Sequence, residues 1–197
     1  MDHDREWRPR NFRDVGRSLT SCGAASEITI PPGRLLRGGD IDLLFLAQQH
    51  ECIGHPHTIL NLRVKEDNPG TFGDIPIRYL HFPTKNGAHD YDTTAKSLRL
   101  WIRQVISALC ELQVADMPLY VHCRSGKDRT GVIVGIILLI LGFPVEDVVQ
   151  EYLRSQEGDI SETGIRTALA PYASPQQREK EFKKCNLAHL ARLLLAL

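Results

Sequence analysis

Residues 130–141 read as a helix with no polar face. Thr130 and Gly131 lead into Val132, Ile133 and Val134, and apolar residues with one Gly continue to Leu141. A helix that is apolar all round has no side to give to water and must be covered on every side. The stretch is about half the ~20 residues a membrane span needs, so no integral membrane segment is expected. It is expected at the centre of a domain. Directly before it, Pro118, Leu119, Tyr120, Val121 and His122 form a short apolar run bounded by turn signals, which reads as a buried strand. A buried strand feeding a buried central helix implies an α/β domain.

The rest of the chain supplies partners for that pair. Residues 28–30, 34–37, 58–63 and 77–82 read as further short strands, the last alternating with period two and stopping at Pro83. Asp40 or Asp42 is placed to cap a helix over residues 43–50. Leu98, Trp101, Ile102, Val105, Ile106, Leu109 and Leu112 share one face of a helix within residues 93–112, with Thr93 or Thr94 as its cap. Gly142 ends the central helix and Pro144 opens the next, over residues 145–154. Ser161 caps a helix reaching Ala170, and the tail ends in an apolar helical run. Residues 1–27 read as polar and irregular. With 197 residues, 42% hydrophobic, a single domain over 1–197 is expected. Its ends are an irregular 1–10 and a C-terminal helical extension over 175–197.

Composition removes several classes. Lys plus Arg is 24 and Asp plus Glu is 24, which argues against a nucleic-acid partner. Cys22, Cys52, Cys110, Cys123 and Cys185 are odd in number, scattered and free of any C-x-x-C pair. They make a poor disulfide framework and no zinc ribbon. The charged N-terminus lacks an apolar signal core, so a reducing, cytoplasmic setting is expected.

Between the strand and the central helix lies the segment that carries chemistry. It runs His122, Cys123, Arg124, Ser125, Gly126, Lys127, Asp128, Arg129, Thr130, Gly131. A loop this short, entering a helix, can turn its backbone N–H groups toward one point, and the helix N-terminus adds donors and partial positive charge. Gly126 permits the tight backbone. The result is a cradle for a phosphate or similar oxyanion. Arg124, Ser125, Gly126 and Lys127 would form its wall. Cys123 at its base is favoured as thiolate by the same donors. Arg129 returns over the mouth, where its planar fork can hold two phosphate oxygens. That is a device for in-line phosphoryl transfer to sulfur, with no metal or cofactor required. Thr130 is placed to donate to the sulfur and help it leave in a second step. His122 reads as ordering the loop or tuning the thiolate. A lone cysteine is more often plain core, but here strand, Cys, Gly, Arg and helix coincide.

His122 to Gly131 resembles the H-C-x5-R-[ST]-G signature of the cysteine-dependent protein tyrosine and dual-specificity phosphatase superfamily. Its form from Gly126 to Gly131 resembles the bacterial tyrosine and phosphoinositide phosphatase branch. Asn11, Phe12, Arg13, Asp14, Val15 and Gly16 are similar to the N-F-R-D-[LV]-G motif of that branch. Residues 33–40 are similar to its G-x-[LI]-x-R-S-x-x-L segment, with Gly38 where Ser is usual. Residues 58–63 are similar to its D-L-R strand, with Asn61 in place of Asp. The resemblance covers about residues 11–170. It implies a central, mostly parallel sheet flanked by helices, and monoester hydrolysis through a phosphocysteine.

The general acid is not legible. Shortly after Phe82 and Pro83, where the superfamily often has an Asp, stand Lys85 and Asn86. Asp128, inside the loop, is the first candidate; Asp90 and Asp92, further along, are alternatives. Asp128 could instead make a loop-ordering ion pair to Arg13 or Arg37, and Asp90 or Asp92 could cap the next helix. Lys127 adds a second positive charge at the rim, which would suit a ring bearing several phosphates. Three readings follow: a phosphatase for phosphotyrosine or mixed phosphoproteins, a phosphoinositide or inositol-phosphate phosphatase, and an inactive phospho-binding module. The expected partner is a phosphorylated protein or phosphoinositide. Oligomeric state is not legible.

Overall fold

The computed structural model describes residues 8–23, 26–42, 51–68, 75–84, 91–156 and 160–195. Among these, strands β1 (Arg13–Asp14), β2 (Leu35–Gly38), β3 (Thr58–Asn61), β4 (Arg78–His81) and β5 (Leu119–His122) form one sheet in the order β1-β2-β5-β3-β4. β2, β5, β3 and β4 are mutually parallel, and β1 closes the edge antiparallel to β2. The expected mostly parallel sheet flanked by helices is present. Register leaves the carboxyl ends of the parallel strands level: Gly38 opposes His122, His122 opposes Asn61, and Asn61 opposes His81. In open α/β sheets that edge is where ligands bind.

Period-two alternation divides the core. Leu35, Leu60, Leu119 and Val121 point to one face and join the main cluster with the helices. Leu36, Ile59 and Tyr120 point to the other, against Ile41 and Ile53. Helices α1 (Val15–Ser21), α2 (Lys96–Leu109), α3 (Asp128–Leu141), α4 (Val145–Leu153), α5 (Glu162–Leu169), α6 (Pro175–Glu181) and α7 (Leu187–Leu195) complete the described elements. α3 is buried along nearly its whole length, as its composition requires. α2 buries Leu98, Trp101, Ile102, Val105, Ile106 and Leu109 of the face read from spacing; Leu112, also buried, lies beyond its end. Gly142 ends α3 in the left-handed conformation, and Ser161 caps α5 by accepting from the Gly164 N–H.

Three expectations need correction. Residues 1–27 are not all irregular: β1 and α1 lie among them, with Asp14 capping α1 by accepting from the Arg17 N–H. Residues 28–30 form no strand; Ile30 packs against α1, where a side chain on Gly16 would stand 2.3 Å from the Ile30 carbonyl oxygen. Neither Thr93 nor Thr94 caps α2. The Thr93 hydroxyl donates to the Ala168 carbonyl, Thr94 donates to Asp92, and Ala95 stands at the N-cap. Asp40 and Asp42 both pair with Arg63, and the helix one of them was expected to cap lies outside the described residues.

Candidate active site

The segment from Cys123 to Asp128 joins the carboxyl end of β5 to the first turn of α3. Its backbone is turned by donors that all come from outside it. The Arg124 carbonyl accepts from the Asp40 N–H at 3.1 Å. The Ser125 carbonyl accepts from the Asn11 side-chain amide at 2.8 Å, and the Gly126 carbonyl from Arg37 Nη2 at 3.0 Å. The Lys127 carbonyl accepts from the Gly131 N–H at 2.6 Å. In a trans peptide the C=O and the following N–H lie on opposite edges of one plane. With four successive carbonyls held outward, the N–H groups of Ser125, Gly126, Lys127 and Asp128 face the inside of the loop, above Cys123. Cys123 itself is 2% exposed.

Two glycines make this curvature possible. Gly126 has φ +71°, and a Cβ there would stand 2.3 Å from the Gly38 carbonyl carbon. Gly38 is equally constrained, because its Cβ would meet the Tyr120 hydroxyl at 2.4 Å. That hydroxyl donates to the Gly39 carbonyl at 2.8 Å. Gly38, where the resembling family has Ser, is therefore matched to Tyr120, whose ring reaches into the space a Ser would take.

Arg37 is fully buried and holds the loop through Gly126. Its charge is met by Glu151, 1% exposed, at 2.6 Å. Glu151 also receives Arg13 Nε at 2.6 Å, and its carbonyl receives Arg13 Nη2 at 2.9 Å. Burial opposes the Glu151 charge, but Arg37 and Arg13 more than offset it and hold the carboxyl below its ordinary range. Arg37 moves the other way: burial, opposed by Glu151, lowers it to about 10. Asn11 links the same group to the chain beyond, accepting from the Gln156 N–H at 2.6 Å. The Asn11, Arg13 and Arg37 motifs thus act as one brace behind the loop, and Arg13 and Arg37 pair with Glu151 rather than with Asp128.

Arg129 is 4% exposed. Its Nη1 donates to the Leu62 carbonyl at 2.7 Å and the Thr84 carbonyl at 3.2 Å, beyond the ends of β3 and β4. The guanidinium is thereby fixed across the carboxyl edge of the sheet, and a planar fork of this kind can hold two oxygens of an anion. His122 is fully buried. Its Nε2 lies 2.9 Å from Asp67 Oδ2, so Nε2 carries the proton, and its ring stacks on Tyr120 at 5.4 Å. Asp67 is held in turn by the Tyr79 hydroxyl and by an ion pair with Arg63 at 3.0 Å. The ring is thus fixed through Nε2 and its face, while the buried Nδ1 has no hydrogen-bond partner among the described residues. The Thr130 hydroxyl is buried and makes no hydrogen bond among the described residues, so the expected bond to the Cys123 sulfur is not made here.

Asp128 is the first residue of α3, with its side chain 31% exposed. Its Oδ1 accepts from the Tyr91 hydroxyl, and Lys127 Nζ lies 3.8 Å away. Tyr91 in turn meets the Tyr152 hydroxyl at 2.5 Å. Burial first, then Asp128 and Tyr152, raise Tyr91 well above its ordinary value, so it stays protonated as a donor. Asp92 is exposed and accepts from the Thr94 hydroxyl at 2.5 Å, in the turn before α2. Asp90, Lys85 and Asn86 lie outside the described residues. The loop therefore gathers Cys123, Arg124, Ser125, Gly126, Lys127, Asp128 and Arg129, and Asp92 serves a local turn. A cavity of about 500 Å³ lies apart, lined by Arg8, Arg17 and Arg154 among others, and none of its lining residues belongs to the loop.

Comparison with known proteins decides the family. The tyrosine phosphatase family matches residues 8–194. The chain belongs to the tyrosine phosphatase family. The triple specificity protein phosphatase PtpB of Mycobacterium tuberculosis is 29% identical over 143 residues, 64% of this chain and 47% of that protein. The chain thus spans about half the length of this curated relative. The catalytic core of the PP-IP phosphatase SIW14 from S. cerevisiae superposes with TM-score 0.60 at 16% identity, over 90% of this chain and 94% of that one. P. aeruginosa TpbA gives TM-score 0.50 at 22% identity, over 86% and 91%. These two likenesses show the fold. The family resemblance read from His122 to Gly131 is confirmed.

The residues that sequence reading did not find are Glu151, Asp67 and Tyr91. Glu151 carried a usable signal: it lies between Val148, Val149 and Tyr152 on the buried face of α4, where a carboxylate needs a partner. Asp67 and Tyr91 sit in irregular polar stretches and carried none.

Proposed function

We propose that the protein is a phosphomonoester hydrolase working through a phosphocysteine, with phosphotyrosine or mixed phosphoproteins as substrates. The observation that supports this best is the loop over Cys123, whose four carbonyls are pinned outward so that its N–H groups converge. Such preorganised donors favour a phosphoryl group as negative charge develops on its equatorial oxygens. In the first step the Cys123 thiolate attacks phosphorus and the P–O bond to the substrate breaks. The leaving oxygen takes a proton from Asp128, whose Oδ2 is free of the Tyr91 contact that fixes Oδ1. Arg129 and the loop N–H groups hold the three phosphoryl oxygens. In the second step water attacks phosphorus, Asp128 takes its proton, the P–S bond breaks, and phosphate leaves with the thiolate restored.

Lys127 supports a second reading, a phosphoinositide or inositol-phosphate substrate, because its ammonium stands at the rim beside Asp128. A side-by-side assay on a phosphotyrosine peptide, a phosphoserine peptide and phosphoinositides separates them. The first reading expects the phosphotyrosine peptide to turn over fastest, and faster turnover of phosphoinositides overturns it. Substrate binding with no turnover on any of them supports the inactive binding module.

A further inference from the structure

The chain is neutral in total, with 24 basic and 24 acidic residues, but one face is not. α2 contains no Asp or Glu. Its outward residues include Lys96, Arg99, Leu100 and Arg103, spaced three and four apart and so on one side. The end of α6 and the turn after it lie against this side. Arg99, Arg103, Lys180, Lys183 and Lys184 line a single cavity of about 700 Å³, with Glu181 as its carboxylate.

Glu181 does not balance these charges. It is buried, and both Arg99 and Arg103 already clamp it, Arg103 Nε at 2.6 Å. Arg99 and Arg103 hold it below its ordinary value against the opposing effect of burial. Lys180, Lys183 and Lys184 are exposed and make no ion pair with any described residue. Glu179, beside Lys180, is the one further acid in this short stretch. In the middle of the basic side of α2 stands Leu100, 53% exposed.

Two chemistries meet on this face. A cluster of lysines and arginines attracts any polyanion, but an exposed Leu gains nothing from a soluble one. At a lipid surface both are used: ammonium groups meet anionic headgroups while lysine stems and a Leu side chain enter the interfacial layer. We propose that the face formed by α2 and residues 180–184 docks the protein on a membrane surface rich in anionic lipid. The placement suits the loop. α2 begins five residues after Tyr91, which touches Asp128, so Arg99 lies about 5 Å along the helix from the end nearest the site. None of the docking residues belongs to the loop, so this inference stands independently of the catalytic reading.

The test is co-sedimentation with vesicles of phosphatidylcholine alone and of phosphatidylcholine mixed with phosphatidylserine. Phosphatidylserine is a phosphodiester, so turnover at Cys123 plays no part in the signal. The intact protein is expected to bind the mixed vesicles, to leave the neutral ones in solution, and to be released as salt rises. Replacing Lys180, Lys183 and Lys184 together by Ala should weaken binding about a hundredfold, since each basic residue near such a surface is worth roughly fivefold. Hydrolysis of an aryl phosphate and the melting temperature should stay unchanged. Leu100→Ser should weaken binding a few fold at the same salt dependence. Equal binding to both vesicle types, or undiminished binding of the triple variant, overturns the proposal. So does lysine-dependent capture of a multiply phosphorylated peptide without any vesicle binding, which assigns the face to a protein partner.

Discussion

The brace behind the loop makes Glu151→Gln the most informative single change. Glu151 and Arg37 are both buried, 2.6 Å apart, and Arg37 continues to the Gly126 carbonyl at 3.0 Å. Burying the pair is itself costly, as the lowered value of Arg37 shows. Removing one partner is worse, because the guanidinium stays buried without its counter-charge; the cost is about 3–5 kcal/mol. At about 2–4 °C per kcal/mol for a chain of this size, the melting temperature should fall by roughly 6–20 °C. Gln still accepts one hydrogen bond, which favours the lower end. The sign with pH is fixed by the depressed Glu151 value. Its contribution is present above the ordinary carboxylate range and is lost as pH falls through the folded value, so the gap between the two proteins should narrow below about pH 4. Thermal unfolding across pH, read beside kcat/KM on an aryl phosphate, is the assay. Loss of the brace should lower kcat/KM by about ten- to a hundredfold in protein that is still folded. Adding Arg37→Met should restore part of the melting temperature and none of the activity. A fall of under about 2 °C would refute the buried-charge argument, and full activity in the folded variant would refute the link from Glu151 to the loop.

Three further outcomes follow from neighbouring contacts. Gly126→Ala should cost at least about 1–2 kcal/mol from its φ of +71° alone and disable turnover, since the added Cβ collides with the Gly38 backbone; wild-type kinetics would contradict the loop geometry. Gly38→Ser should destabilise by about 1–3 kcal/mol, and by much less in a Tyr120→Phe background, where the colliding hydroxyl is absent; additive effects in that double-mutant cycle would argue against the match of the two residues. Tyr91→Phe should slow hydrolysis of alkyl phosphates more than of nitrophenyl phosphate, because poor leaving groups depend most on a positioned Asp128; an unchanged ratio removes Tyr91 from proton delivery.

What the sequence made legible was local. β5, the loop and α3 are continuous in the chain, so the placement of Cys123, Gly126 and Arg129 between a buried strand and a buried helix could be read from spacing and apolarity. The α2 face emerged from a 3.6-residue period that the structure keeps from Leu98 to Leu109, while Leu112 lies past the end of the helix. α1 escaped because seven residues with Gly, Ser and Thr give too little pattern to separate from a loop. The supports of the site escaped for another reason. Arg37 and Glu151 are 114 positions apart, His122 and Asp67 are 55, and Tyr91 and Asp128 are 37. No periodicity spans such distances; they are set by strand order and by which helix face packs where. The basic face on α2 was hidden likewise, because its lysines come from a segment about 80 residues later and the chain total is zero.

The central claim is that Cys123 becomes phosphorylated. Acid quench of the enzyme in the first turnovers of a radiolabelled aryl phosphate, followed by peptide mapping, tests it directly. The account predicts label on the peptide that carries Cys123, stable to acid. It also predicts no label in Cys123→Ser and turnover by that variant below about 1%. Steady turnover with no labelled cysteine, or label carried by another residue, would contradict it.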